Sequence, residues 1–250
     1  MLAHLSVNVI NDYFDYKSGL DLKTRRTPFS GGSGILPAGL LDPRDAYLFA
    51  VGCFILGGII GVYFVLTAGW MLLPLISVAA FTIYFYSTHL SHWFVGEVFT
   101  GLNFGPLMVL GGYFIQTGRY SISALVSGIV PGILVGTLLF LNEFPDVEAD
   151  RMAGRRNLVI RLGLAKSAKV YVLLIACVYG WILFNILSGL MPLTTLITFV
   201  TTPLALKAAR GALRNYAKID RLVPVMGVNV MLVLSTTGAT SLGIILSKFL

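Results

Sequence analysis

Acidic residues are scarce in this chain, at eleven among 250 residues, and all charged residues together make up only 12%. A typical soluble domain is about one quarter charged, so too little polar side chain is present to cover a water-facing surface. Cysteine is also scarce. Cys53 and Cys177 both lie inside apolar stretches, which excludes the disulfide framework of a small secreted domain. No basic segment or small-residue cleavage site marks the first residues, so a removable secretory signal is not expected. The apolar stretches lack the alternation of barrel strands. Of the three histidines, His89 and His92 have the HxxH spacing of a metal pair, but no third ligand is close in sequence; an ordinary interfacial loop is expected there.

What fills the chain instead is apolar side chain, with 56% hydrophobic residues and a mean hydropathy of +0.85. Nearly uncharged runs cover 46–66, 70–86, 94–115, 122–141, 170–187, 191–209 and 222–246. Each approximates the ~17–25 residues that a helix needs to cross a hydrocarbon core. Helices are expected because lipid offers no partner to an unpaired backbone group. The run 1–10 is about half a span and reads as a partial helix, with a further helix expected upstream. The fold class is therefore an all-α, polytopic transmembrane bundle, with about eight helices visible.

The connections carry the charge. Of the 18 Lys and Arg, all but Arg119 and Lys248 lie in three connections, 16–45, 144–169 and 207–221. Basic residues stay preferentially on the cytoplasmic side, so those three loops, and the net charge of +7, are expected there. Topogenic duty accounts for most of these cations, and no nucleic-acid partner is expected.

Seven of the eleven acids fall in two compact clusters. The first runs from Asn11 through Asp12, Tyr13 and Asp15 to Asp21. On a helix Asn11, Asp12 and Asp15 project from adjoining positions of one face. The second runs from Asn142 and Glu143 through Asp146 and Glu148 to Asp150, with Asn142, Asp146 and Asp150 four residues apart, a stripe open to kinking at Pro145. Like charges crowded at helix ends need a counter-ion, and hard oxygen donors suit Mg²⁺, which takes one or two carboxylates plus phosphate oxygens. The pairing points to Mg²⁺-bridged diphosphate. Three complete spans separate the clusters, so both end helices running in the same direction. This suggests a parallel internal duplication of 1–120 and 121–250 within a single domain.

These residues carry a resemblance. NDYFDYKSGLD and DVEADRMAG resemble the two Asp-rich motifs of the UbiA superfamily of intramembrane prenyltransferases. The loop LKTRRTPFSGGSGILPAG, the segment FVGEVFTGLNFGPLMVLGGYFIQTG and the tail RRNLVIRLG are similar to its naphthoate branch, used in menaquinone synthesis. The resemblance implies nine membrane helices around a central cavity with a polar cytoplasmic mouth, of which the first is absent from the sequence.

The resemblance also implies an activity: Mg²⁺-dependent transfer of a prenyl group from a prenyl diphosphate to an aromatic or other lipid-precursor acceptor in the membrane. Asn11, Asp12, Asp15, Asp146 and Asp150 would hold Mg²⁺, with Asp15, Asp146 and Asp150 central to catalysis. Asp21 and Asn142 would support them or contact substrate. Lys23, Arg25, Arg26 and either Arg151 or Arg155 are candidates to bind the diphosphate. An allylic cation needs electron-rich faces in a dry site, for which Tyr13, Tyr84, Tyr86 and Phe104 are candidates. A secondary transporter or channel would also place acids in membrane segments, but near the midplane and not at one set of helix ends.

Overall fold

The computed structural model describes residues 1–86 and 95–249, and every regular element among them is helical. His89 and His92 lie outside the described residues.

The first helix, α1 (Leu2–Lys17), continues the short apolar run through the first polar cluster, so that Asn11, Asp12 and Asp15 ride on its final turns. Asp42 opens α2 (Pro43–Ala68) by accepting the Arg44 N–H at 2.7 Å, with Pro43 in the first helical position. Then follow α3 (Leu73–Phe85), α4 (Gly96–Leu102), a π-helical turn (Asn103–Leu107), α5 (Met108–Thr117) and α6 (Ile122–Asn142). Beyond them lie the short α7 (Val147–Met152) and α8 (Leu158–Leu162), then α9 (Leu164–Leu187), α10 (Thr202–Asn215) and α11 (Ile219–Leu246).

Among the described residues five helices are long and apolar enough to cross a bilayer: Pro43–Ala68, Gly96–Thr117, Ile122–Asn142, Leu164–Leu187 and Ile219–Leu246. This corrects the expectation of seven complete spans. The run at 70–86 folds as a shorter apolar helix, Trp70–Phe85. The run at 191–209 changes character partway, from a 3₁₀ helix at Leu193–Thr201 to the amphipathic α10. Its sequence explains the change. Thr195, Thr198 and Thr201 recur every third residue and are buried, the period of a 3₁₀ helix. The hydroxyls of Thr195 and Thr201 each bond the carbonyl three residues earlier, at 2.6 and 2.7 Å.

Two glycine-lined seams set the helix spacing. Gly101 and Gly105 face Gly128, Gly132 and Gly136 on α6, and a Cβ on Gly105 would sit 2.4 Å from the Gly128 carbonyl oxygen. Small residues let membrane helices approach backbone to backbone. The π turn follows from Pro106, which has no N–H to continue the α ladder and packs against Gly128 and Gly132. At the other seam Gly243 meets the Thr195 backbone, and the Thr194 hydroxyl donates to the Gly243 carbonyl at 2.6 Å.

The best-packed core lies between α6, α9, α10 and α11, around Leu134, Tyr171, Ile182 and Met226. Some of the polar side chains inside it pair with one another, as lipid-embedded helices favour: Tyr171 donates to Asn229 at 2.8 Å, and Thr236 donates to Thr201 at 3.0 Å. On α2, by contrast, Ile55, Ile59 and Leu66 are 56%, 60% and 79% exposed, an apolar face suited to lipid.

Candidate active site where a polar cavity adjoins an apolar one

The ends of α1 and α6 open on one cavity of about 490 Å³. Asn11, Asp12, Asp15 and Asp21 line it from one side, and Asn142, Asp146 and Asp150 from the other. The second cluster does not form one continuous helical stripe. Its helix ends at Asn142, passes Pro145 and restarts at Val147 as α7, because Pro145 cannot donate to the ladder. The break still turns all three polar side chains to the cavity.

Arg155 ties the two clusters together. Its guanidinium pairs with Asp15 on α1 and, at 3.4 Å, with Asp150 on α7. Asp15 also accepts from the Asn11 amide at 2.8 Å, and Asp150 from the Asn157 amide at 2.8 Å. Asn157 is itself fixed, since its carbonyl oxygen caps α8 by accepting the Ile160 N–H at 2.9 Å.

The connection after α1 folds over this mouth. Ser33 donates its N–H to Asp12 at 3.4 Å, and the Ser30 hydroxyl bonds Asp146. Gly32 has φ +70°, and a Cβ there would stand 2.9 Å from both carboxylate oxygens of Asp21. Only glycine fits that turn.

Several oxygens in the mouth are buried without a hydrogen-bond partner: Asp21 Oδ2, Asn142 Oδ1, Glu143 Oε2 and Asp146 Oδ1. Acceptor oxygens left open in this way call for a cation or a donor from outside the chain. Burial first, then neighbouring carboxylates, pushes Asp21 and Asp146 up to about 7. Burial raises Asp150 to about 6, with Arg155 opposing it. Among the described residues no three His, Cys, Asp or Glu side chains form a preformed metal cluster; Arg155 occupies the space between Asp15 and Asp150. The donor set itself, all hard oxygen, fits Mg²⁺.

Below the mouth lies a second cavity of about 670 Å³, largely apolar, walled by residues such as Val7, Ile60, Phe64, Ile83, Phe104 and Leu138. Asn8, Asn11, Tyr86, Leu139 and Asn142 line both spaces. An anionic head in the first cavity can therefore extend an apolar tail into the second.

The remaining sequence candidates separate. Tyr86 stands at the junction, and Phe104 lines the apolar cavity with His4 stacked on it at 4.4 Å. Tyr13 turns to α2, packing on Tyr47 at 4.8 Å between ring centres, and Tyr84 packs edge-on against Phe85; neither lines either of these two cavities. Lys23 and Arg151 are exposed and outside the mouth. Arg25 pairs with Asp220 at 2.6 Å, and Arg26 bonds the Ser33 carbonyl at 2.5 Å.

Sequence reasoning missed Asn8, Ser30, Asn157 and Glu97, and with Glu97 its pairing to Glu143. Those two carboxyl groups hydrogen-bond each other at the cavity wall, and Glu97 also accepts the Leu158 N–H at 3.0 Å. The signal for Glu97 was present: it is a lone acid inside an apolar run, which marks an intramembrane site.

The fold and mouth define a helical membrane protein that presents an acid-lined pocket above an apolar chamber. The chain belongs to the UbiA prenyltransferase family, whose model matches residues 1–231. It is 27% identical over 223 residues to 1,4-dihydroxy-2-naphthoate octaprenyltransferase of Bacillus subtilis, covering 88% of this chain and 70% of that one. It is 27% identical over 209 residues to 2-carboxy-1,4-naphthoquinone phytyltransferase of Synechocystis, covering 82% and 65%. The chain thus spans about two thirds of these relatives' length. A solved structure of digeranylgeranylglyceryl phosphate synthase superposes with a TM-score of 0.61 at 20% identity, over 96% of this chain and 82% of that one.

Proposed function

We propose that this protein transfers a prenyl group from a prenyl diphosphate to an aromatic or other lipid-precursor acceptor within the membrane, releasing diphosphate, in quinone or membrane-lipid biosynthesis. Two naphthoate- and naphthoquinone-directed relatives favour a bicyclic aromatic acceptor. The observation that carries the reading is the convergence of both Asp-rich segments on one mouth, through Arg155, directly above an apolar chamber.

In this reading Asn11, Asp12, Asp15, Asp146 and Asp150 hold Mg²⁺, supported by Asp21 and Asn142. The ion, when bound, supplies positive charge that offsets the charge gathering on the departing diphosphate. The chain's own residues do the rest. Asp15 and Asp150 keep Arg155 poised where its N–H groups can turn to phosphate oxygens. The backbone from Ser30 to Ser33 closes over the head. Tyr86 and Phe104 offer ring faces along the path of the allylic carbon, where a dry wall delays capture by water. Bond breaking leaves the C–O electron pair on diphosphate, the acceptor carbon supplies the pair for the new C–C bond, and that carbon then gives up its proton to water, which restores the aromatic ring. The three basic connections support a cytoplasmic side for the mouth, and the matched positions of the motifs on α1 and α6 support a parallel duplication.

The test is direct. Purified protein in lipid nanodiscs, given an allylic prenyl diphosphate and a dihydroxynaphthoate, should form a prenylated product with one diphosphate per product, and EDTA should stop both. Product formed at an unchanged rate in EDTA would refute the metal assignment; no product from any donor length or acceptor class would refute the activity.

A further inference from the structure

The cations Lys207, Arg210 and Arg214 all lie on α10 and are all exposed. At about 100° per residue they fall within roughly 60° of one another, in a row about 10 Å long. The opposite face of α10 is small and buried, through Ala205, Ala208 and Ala212. The cations line a shallow depression with Pro203 and Leu206, and Leu206 and Leu213 beside them are 48% and 41% exposed.

Among the described residues no ion pair engages this row. All eleven acids lie among the described residues, and none occurs between Arg151 and Ile219. The acids that do form ion pairs, Asp15, Asp150 and Asp220, engage Arg155 and Arg25. Asp220, the acid that follows in sequence, is engaged by Arg25. The dipole of the helix C-terminus favours a cation in the last turn, which explains Arg214 but not Lys207.

We propose that this face of α10 is a binding site for an anionic phospholipid. Its phosphate sits among Lys207, Arg210 and Arg214, and its acyl chains lie along Leu206 and Leu213. Charge complementarity selects the occupant: three cations without an ion-pair partner among the described residues, mixed with exposed leucines at the end of a membrane bundle, match a ligand that is anionic at one end and apolar at the other. The site is separate from the acid-lined mouth, whose walls include no α10 residue.

Native mass spectrometry of the purified protein with phosphatidylglycerol or phosphatidylcholine tests the proposal. One juxtamembrane cation is worth about fivefold in affinity for an anionic surface. The wild type should therefore prefer phosphatidylglycerol, and the K207Q/R210Q/R214Q variant should lose that preference by on the order of a hundredfold. A charge-matched R44Q/R156Q/K166Q variant should keep it. Equal loss in both variants would show diffuse attraction to a basic surface and overturn the site, as would an unchanged preference in the α10 variant. Displacement of phosphatidylglycerol by millimolar inorganic phosphate would overturn the lipid assignment in favour of a simple phosphate site. Because the α10 side chains are exposed, a normal unfolding midpoint for the variant should confirm that it folds.

Discussion

Arg155 reaches from the segment after α7 to the carboxylate of Asp15 on α1, 140 residues away in sequence. That contact bridges the two acidic clusters across the mouth and offsets the repulsion between their carboxylates.

Arg155→Ala should therefore destabilise the ligand-free protein, because it leaves Asp15 and Asp150 buried without their cation. Removing one partner of a buried pair costs about 3–5 kcal/mol. In EDTA the unfolding midpoint should fall by several degrees, and Mg²⁺ with a prenyl diphosphate analogue should recover a large part of the loss. An unchanged midpoint in EDTA would mean that the contact carries no stability.

The carboxyl groups set a pH dependence of definite sign. Asp21, Asp146 and Asp150 have folded values of about 7, 7 and 6 against 3.8 for a free carboxyl. Between about pH 4 and 7 the folded state thus binds more protons than the unfolded one, and stability falls as pH rises through that window. Calorimetry in EDTA should give a lower midpoint at pH 8 than at pH 5.5. A midpoint rising over that range would contradict the burial of these groups.

Gly105→Ala should weaken the bundle without touching the mouth. The new Cβ meets Gly128 and Gly132 backbone atoms at 2.4 to 2.5 Å, and backbone cannot move aside as a side chain can. A penalty of about 1–3 kcal/mol is expected, read as loss of thermal stability in detergent with the affinity for donor analogue retained.

The connection 22–39 should act as a lid. Lys23, Arg25 and Arg26 are exposed to protease, while Ser30 and Ser33 already touch Asp146 and Asp12. Mg²⁺ and a non-hydrolysable prenyl diphosphate added together should slow tryptic cleavage at the three basic residues. Cleavage at the same rate, with analogue binding verified separately, would leave those residues only a topogenic role.

Helical membrane architecture and both acidic motifs were legible in the sequence because each rests on a local signal: runs of apolar residues, and Asn and Asp at helical spacing. Other features depend on contacts distant in sequence. Arg155 looks like any basic residue of its loop until Asp15 is placed beside it, and Tyr13 looks like a site aromatic until α1 is rotated against Tyr47. The 3₁₀ stretch was hidden because hydropathy weighs Thr195, Thr198 and Thr201 by polarity and ignores their period of three. Glu143 was legible as a cluster member, but its bond to Glu97 needed α4 and α6 to meet across the glycine seam.

The measurement that bears most directly on the account compares prenyl transfer by the wild type with that of Asp15→Ala and Asp146→Ala at saturating Mg²⁺, with insertion and unfolding midpoint measured on the same preparations. Loss of a group that stabilises developing charge typically costs about 10²–10³ in rate. Both variants should fall by at least that factor while still inserting and purifying as folded protein, whereas near-normal turnover by either would contradict a metal- and diphosphate-binding mouth shared by the two motifs.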